Sequence, residues 1–114
     1  MHAETSEEHT DPHSEFVEIV AEVFRLLADA TRIRVILALK SGELSVNELA
    51  EIVDRPAPAV SQHLAKLRWS KLVRVRQEAT RMYYSLTDDH ALRLITEAIL
   101  QAEHTVEDAP RHHA

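Results

Sequence analysis

Apolar residues recur at three- and four-residue steps along most of this chain, and only between Val73 and Leu86 do they fall on every second position. A period near 3.6 gathers such residues on one stripe of a helix, whereas a period of two gathers them on one face of a strand. The chain is therefore expected to be mainly α with one β-hairpin. The first helical stripe is Phe16, Ile19, Val20, Val23, Phe24 and Leu27, with Ser14 placed to cap it. A break at Ala28 to Thr31 precedes a second helix through Ile33, Val35, Ile36 and Leu39; Gly42, the only glycine, follows where a left-handed residue is needed after the last turn. Ser45 and Glu48 have capping-box spacing at the start of a third helix carrying Val46, Leu49 and Ile52. The segment Asp54-Arg55-Pro56-Ala57-Pro58 interrupts that helix, and Pro58 suits the first turn of a fourth, with Val60, Leu64 and Leu67 on one side. A last helix, capped by Thr87 or Asp88, runs to about Glu103.

At 114 residues the chain has the size of one domain. Residues 1–14, acidic and containing His2, His9 and His13, read as a disordered tail; 15–104 form the folded unit; 105–114, with His112 and His113, read as a flexible tail. No run approaches the roughly 18 uncharged apolar residues of a spanning helix, so a cytoplasmic protein with no membrane partner is expected. With no cysteine there is no disulfide, thiolate redox centre or soft-metal cage, and what stays open is an imidazole and carboxylate site. A single glycine leaves no phosphate-cradling loop, and no nucleophile stands with a paired base and acid; neither an enzyme nor a small-molecule substrate is expected.

A net charge of −6 argues on its own against a nucleic-acid partner, but its distribution reverses that impression. Between Arg55 and Arg81 there are seven basic residues and one acidic residue, a balance of +6, and the remainder carries −12. A charge run by itself is most often a solvated face. Here, however, a short apolar helix, a tight turn and a helix with Ser61, Gln62, His63, Lys66 and Arg68 towards its outer side form a helix-turn-helix. Val73 and Val75 then alternate with Arg74 and Arg76, and Met82 to Leu86 returns after a tip at Gln77 to Arg81. The fold is a winged helix-turn-helix: four helices, a two-stranded wing and a fifth helix. The basic helix and basic wing make one phosphate-tracking surface for operator double-stranded DNA, with Ser61, Gln62, Lys66, Arg76 and Arg81 as candidate contacts and His63 as a DNA contact or a helix-packing residue. Wide apolar faces on the first helix and on the last (Leu92, Leu94, Ile95, Ala98, Ile99, Ala102) suggest a homodimer, which a two-fold DNA reader requires.

His90 and His104 lie fourteen residues apart on the last helix, about 40° short of four full turns, so both rings share a face. The helical rise separates them by roughly 21 Å, whereas a metal binds imidazole nitrogen at roughly 2.1 Å. One helix cannot place both on one ion, but two copies packed antiparallel can. Asp88, Gln101, Glu103, His112 and His113 are the neighbouring donors, and such mixed oxygen and imidazole sets suit Ni²⁺, Co²⁺ or Zn²⁺.

Leu27-Ala28-Asp29-Ala30-Thr31-Arg32, Ser45-Val46-Asn47-Glu48-Leu49-Ala50, Ala59-Val60-Ser61-Gln62-His63-Leu64-Ala65-Lys66-Leu67 and Tyr83-Tyr84-Ser85-Leu86, in that order, resemble the ArsR/SmtB family of metal-sensing repressors over about residues 16 to 104. The resemblance implies a homodimer that leaves its operator when metal binds, with Ser61, Gln62 and His63 at the DNA and Arg81 on its backbone. Where arsenic, cadmium and lead sensors of the family carry Cys-x-Cys, this chain has Ser45 and Asn47; the zinc-sensor pattern is present at Asp88-x-His90 but has Gln101 at its third ligand position. Ala102-Glu103-His104, Pro110-Arg111-His112-His113, Val23-Phe24-Arg25 and Pro56-Ala57-Pro58 resemble the nickel/cobalt sensors of KmtR type. That resemblance implies His90, Glu103, His104, His112 and His113 as ligands of Ni(II) or Co(II), with Asp88 an alternative and His2 a further donor. The competing expectations are a zinc-responsive or metal-independent regulator of the same family, and a metal-buffering or interaction protein that does not bind DNA. The wing tip, Glu78-Ala79-Thr80, lacks the glycine usual in the family.

Overall fold

The computed structural model describes residues 10–108. Among these residues, five α-helices and three short strands follow in the order α1 (Val17–Leu27), α2 (Ala30–Ala38), a 3₁₀ turn (Leu39–Ser41), β1 (Leu44–Ser45), α3 (Val46–Val53), α4 (Ala57–Trp69), β2 (Val73–Glu78), β3 (Arg81–Leu86) and α5 (His90–Asp108). The expected winged helix-turn-helix is present. It carries one strand the alternation did not reveal, because two residues are too few to show a period.

That strand, β1, joins the wing to the body. The antiparallel sheet has the order β1-β3-β2, with Leu44 opposite Tyr84 and Ser45 opposite Tyr83, while Val75 faces Tyr84 and Arg76 faces Tyr83 from the other side. The wing therefore leans on the segment that starts the helix-turn-helix. Ser45 ends β1 and begins α3: its hydroxyl accepts from the Glu48 backbone N–H at 3.2 Å, and the Glu48 carboxylate accepts from the Ser45 N–H at 2.8 Å. This reciprocal cap satisfies two of the donors a helix start leaves unpaired.

The core is a single cluster in which Val35 and Ile36 of α2, Leu49 and Val53 of α3, Val60, Leu64 and Leu67 of α4, Val73 of β2, and Ala91 and Ile95 of α5 are buried. Val60, Leu64 and Leu67 lie on the inner side of α4 with no exposure, so this helix is held by its underside while Ser61, Gln62 and Lys66 are exposed. Asp54 closes α3 in the left-handed region (φ 57°), and Pro58 lies in the first turn of α4, as the break in the sequence required.

Four local expectations are corrected. Ser14 does not cap α1: its hydroxyl accepts from Phe16 N–H, two residues on, and the helix begins at Val17. Gly42 has positive φ, but at φ 139° and ψ −168° it occupies an extended region open essentially to glycine alone rather than the left-handed helical one, because α2 tightens into a 3₁₀ turn before it. Asp88 and Asp89 stand before α5, which starts at His90 and continues to Asp108, one turn past the expected end. The hairpin tip is Ala79-Thr80 alone, since Glu78 already pairs with Arg81, and Ala79 takes φ 57° without a glycine.

Candidate nucleic-acid interface and metal centre

The outer side of α4 carries Ser61, Gln62 and Lys66, all exposed. His63 is half-buried and turned inward: Arg32 Nη1 lies 3.3 Å from its Nδ1. A guanidinium only donates, so this contact is a hydrogen bond in the tautomer whose Nδ1 is unprotonated. Arg32 also donates through Nε to the Leu26 carbonyl at 2.6 Å, and its backbone N–H caps onto Asp29 Oδ1 at 3.0 Å. That backbone hydrogen bond, with the nearby Arg32 charge, holds the Asp29 carboxyl below the usual carboxylate range. Arg32 thus ties the end of α1 to α4. Of the two readings open for His63, the geometry is that of helix packing.

On the wing, Arg81 is exposed and has no ion pair among the described residues. Beside it, Ser45, Val46, Asn47, Thr80 and Met82 complete the lining of a hollow of about 210 Å³ between the wing tip and the start of α3. Arg76 is placed differently. Its Nε and Nη2 bind both oxygens of Glu43 at 3.0 and 2.9 Å, its Nη1 binds Glu78 at 2.8 Å, and its guanidinium lies 4.9 Å from the centre of the Tyr83 ring. Arg74 donates to the Thr87 carbonyl. The basic run is therefore not one uniform surface: Lys66, Arg68, Lys71 and Arg81 are exposed and outside any ion pair among the described residues, and Arg76 is neutralised.

His90 and His104 are both exposed on α5. At 100° per residue they stand about 140° and 180° around the helix from buried Ile95, so both rings face away from their own core. Asp88 Oδ1 accepts the His90 backbone N–H at 3.0 Å, which caps the helix, and Asp89 Oδ1 lies 4.0 Å from His90 Nδ1. Glu103 is exposed next to His104. Among the described residues of one chain, no three His, Asp or Glu side chains converge on a common point. His2, His9, His112 and His113 lie outside the described residues.

Apolar surface is left uncovered on α1 (Ile19 58%, Phe24 53%) and along α5 beyond Ile95 (Ile99 39%, Leu100 50%, Val106 74%). The radius of gyration is 17.1 Å, against about 13 Å for a compact chain of this size. Among the described residues no helix is long and apolar enough to cross a membrane. Three features escaped sequence reasoning: the Asp29-Arg32-His63 corner, the Glu43-Arg76 pair and the exposure of Trp69, 87% open at the end of α4. The pairs join residues 31 and 33 positions apart and leave no periodic trace.

A helix-turn-helix held from beneath, with a basic wing beside it, defines a DNA-binding transcriptional regulator rather than an enzyme. The chain belongs to the family described as "Bacterial regulatory protein, arsR family", which matches residues 29–75, from the cap of α2 into β2. It is 54% identical over 95 residues to the HTH-type transcriptional regulator KmtR of Mycobacterium tuberculosis, covering 83% of this chain and 73% of that one. To the cadmium resistance transcriptional regulatory protein CadC homolog of Staphylococcus aureus it is 37% identical, covering 71% and 68%. The homodimeric winged helix-turn-helix DNA-binding domain of a possible ArsR-family regulator from Mycobacterium bovis superposes with a TM-score of 0.72 at 26% identity, covering 90% and 99%.

Proposed function

We propose that this chain is a homodimeric repressor that binds operator DNA through α4 and the wing and is released when Ni(II) or Co(II) binds between the α5 helices of the two subunits. The observation that carries the reading is that His90 and His104 sit on α5, turned away from their own core, on a helix that keeps apolar surface uncovered. Two such helices, antiparallel, bring His90 of one copy to His104 of the other, with Glu103 and Asp88 as neighbouring oxygen donors. His112 and His113 follow the end of α5 closely enough in sequence to complete the ligand set, and His2 is a further donor. Borderline imidazole and hard carboxylate donors without thiolate fit these ions, and the absence of cysteine removes the Cys-x-Cys alternative.

The homodimeric neighbour and the cadmium resistance relative support dimerisation and metal response as properties of this type of protein. A soluble DNA reader of this kind works in the cytoplasm. Metal and DNA then act on one equilibrium: whatever factor nickel takes from DNA affinity, DNA takes from nickel affinity. The test is a gel shift on the upstream region of the chain's own gene. His90→Ala with His104→Ala is expected to bind that DNA in the absence of metal and to stay bound in nickel. Release of the double variant by nickel sinks the site; release of the wild type by zinc alone, or by no metal, favours the zinc-responsive or metal-independent reading.

A further inference from the structure

Wing arginines of a DNA reader are ordinarily counted as phosphate ligands, yet Arg76 already commits three of its five N–H donors to carboxylates. Nε and Nη2 donate to the two oxygens of Glu43, and Nη1 donates to Glu78. One cation between two carboxylates leaves that spot with a net charge of −1, which repels phosphate. Isolated surface ion pairs are worth little, but bidentate pairs within a network are the recognised exception. The path of the side chain matters as much as its charge. Arg76 stands opposite Tyr83 on β3, Tyr83 stands opposite Ser45 on β1, and Glu43 lies two residues before Ser45. The guanidinium therefore crosses the central strand over the Tyr83 ring, 4.9 Å from its centre, and ties one edge of the sheet to the loop beyond the other edge. That loop leads directly into the capping box of α3.

We propose that Arg76 is a positioning residue, which with Glu43 and Tyr83 fixes the wing against the helix-turn-helix, and that the wing charge reaching phosphate is Arg81. This rests on the DNA-reading function proposed above, and it revises the place of Arg76 among the candidate DNA contacts.

Two roles for Glu43 predict opposite signs. If the pair is a clamp, Glu43→Gln loosens the wing and weakens DNA binding. If Glu43 merely competes with phosphate for Arg76, the same change strengthens binding. Fluorescence anisotropy of a labelled duplex spanning the upstream region of the chain's own gene, measured across salt concentrations, separates them. Glu43→Gln, Arg76→Lys and Arg76→Ala are each expected to lower affinity about three- to tenfold with an unchanged slope of log K against log salt. Arg81→Ala is expected to lower affinity and flatten the slope by about two for a dimer, one for each phosphate left without its arginine. Tighter binding by Glu43→Gln, or wild-type affinity and slope for Arg76→Lys, overturns the clamp. Glu43→Gln is nearly isosteric, so its circular dichroism melt distinguishes a loosened wing from an unfolded chain. A wild-type protein without salt-dependent binding to this duplex removes the DNA-reading function, and the clamp with it.

Discussion

If each metal site takes His90 from one subunit and His104 from the other, two defective proteins must repair each other. In a dimer that pairs a His90→Ala chain with a His104→Ala chain, one site loses both imidazoles and the other keeps both. The magnitude follows from the helix: fourteen residues of α5 put about 21 Å between the two positions, so no rotamer change lets one chain supply both ligands to one ion. Wild-type dimers carry two sites, one per chain. Each variant alone has only half-sites. Unfolding and refolding the two variants together in equal amounts yields about half heterodimers, each with one intact site, or about one quarter of an ion per chain. Equilibrium dialysis against nickel at a concentration that saturates the wild type but not the half-sites reads this directly, and gel-shift release should return in the mixture. If the refolded mixture binds no more nickel than its parents, or if either variant alone keeps one ion per chain, the cross-subunit site is wrong.

Leu64→Ala removes a side chain with no exposure from beneath α4, and should cost about 2.7–5 kcal/mol; a thermal melt should fall by at least about 10 °C. Ser45→Ala breaks the capping box where β1 meets α3, with an expected cost of about 1 kcal/mol and a melt lowered by about 4–8 °C. Asp29, through the Arg32 backbone N–H, and Glu43, through the Arg76 guanidinium, are both held below the ordinary carboxylate range. A carboxyl depressed in the folded state contributes stability above its unfolded pKa and loses it as pH falls through the folded value. Urea midpoints should therefore fall as pH drops below about 4, and Asp29→Asn should shrink that acid dependence; an unchanged profile removes the role given to the cap. Lys66→Ala should weaken binding to unrelated duplexes as much as to the upstream region, the behaviour of a phosphate contact rather than a base reader.

Where a signal was local, the sequence carried it. The capping box at Ser45 and Glu48 appears as its spacing predicts, because both partners lie within one turn. The buried side of α4 follows from Val60, Leu64 and Leu67, which recur at helical spacing. Ser14 failed as a cap for a local reason too: its hydroxyl serves Phe16 instead. Gly42 does take the positive φ expected of it, but which glycine region it occupies depends on the 3₁₀ turn that ends α2. The candidate metal helix was legible for the same reason as the capping box, since the phase of His90 and His104 is a property of one helix.

By itself, the amino-acid order determined the helix-turn-helix, the hairpin, the uncovered apolar faces of α1 and α5, and the common face of His90 and His104. All of these are periodicities or short-range bonds. Tertiary structure alone decided what the charged residues do. Arg32 and His63 meet across 31 positions, and Arg76 and Glu43 across 33. Composition gives each of these side chains a charge or a hydrogen-bonding capacity, but only the packing of α2 against α4 and of β1 against β3 decides whether it meets a carboxylate, a carbonyl or open solvent. The basic segment from Arg55 to Arg81 thereby divides into side chains open to solvent, such as Lys66 and Arg81, and Arg76, held between two carboxylates.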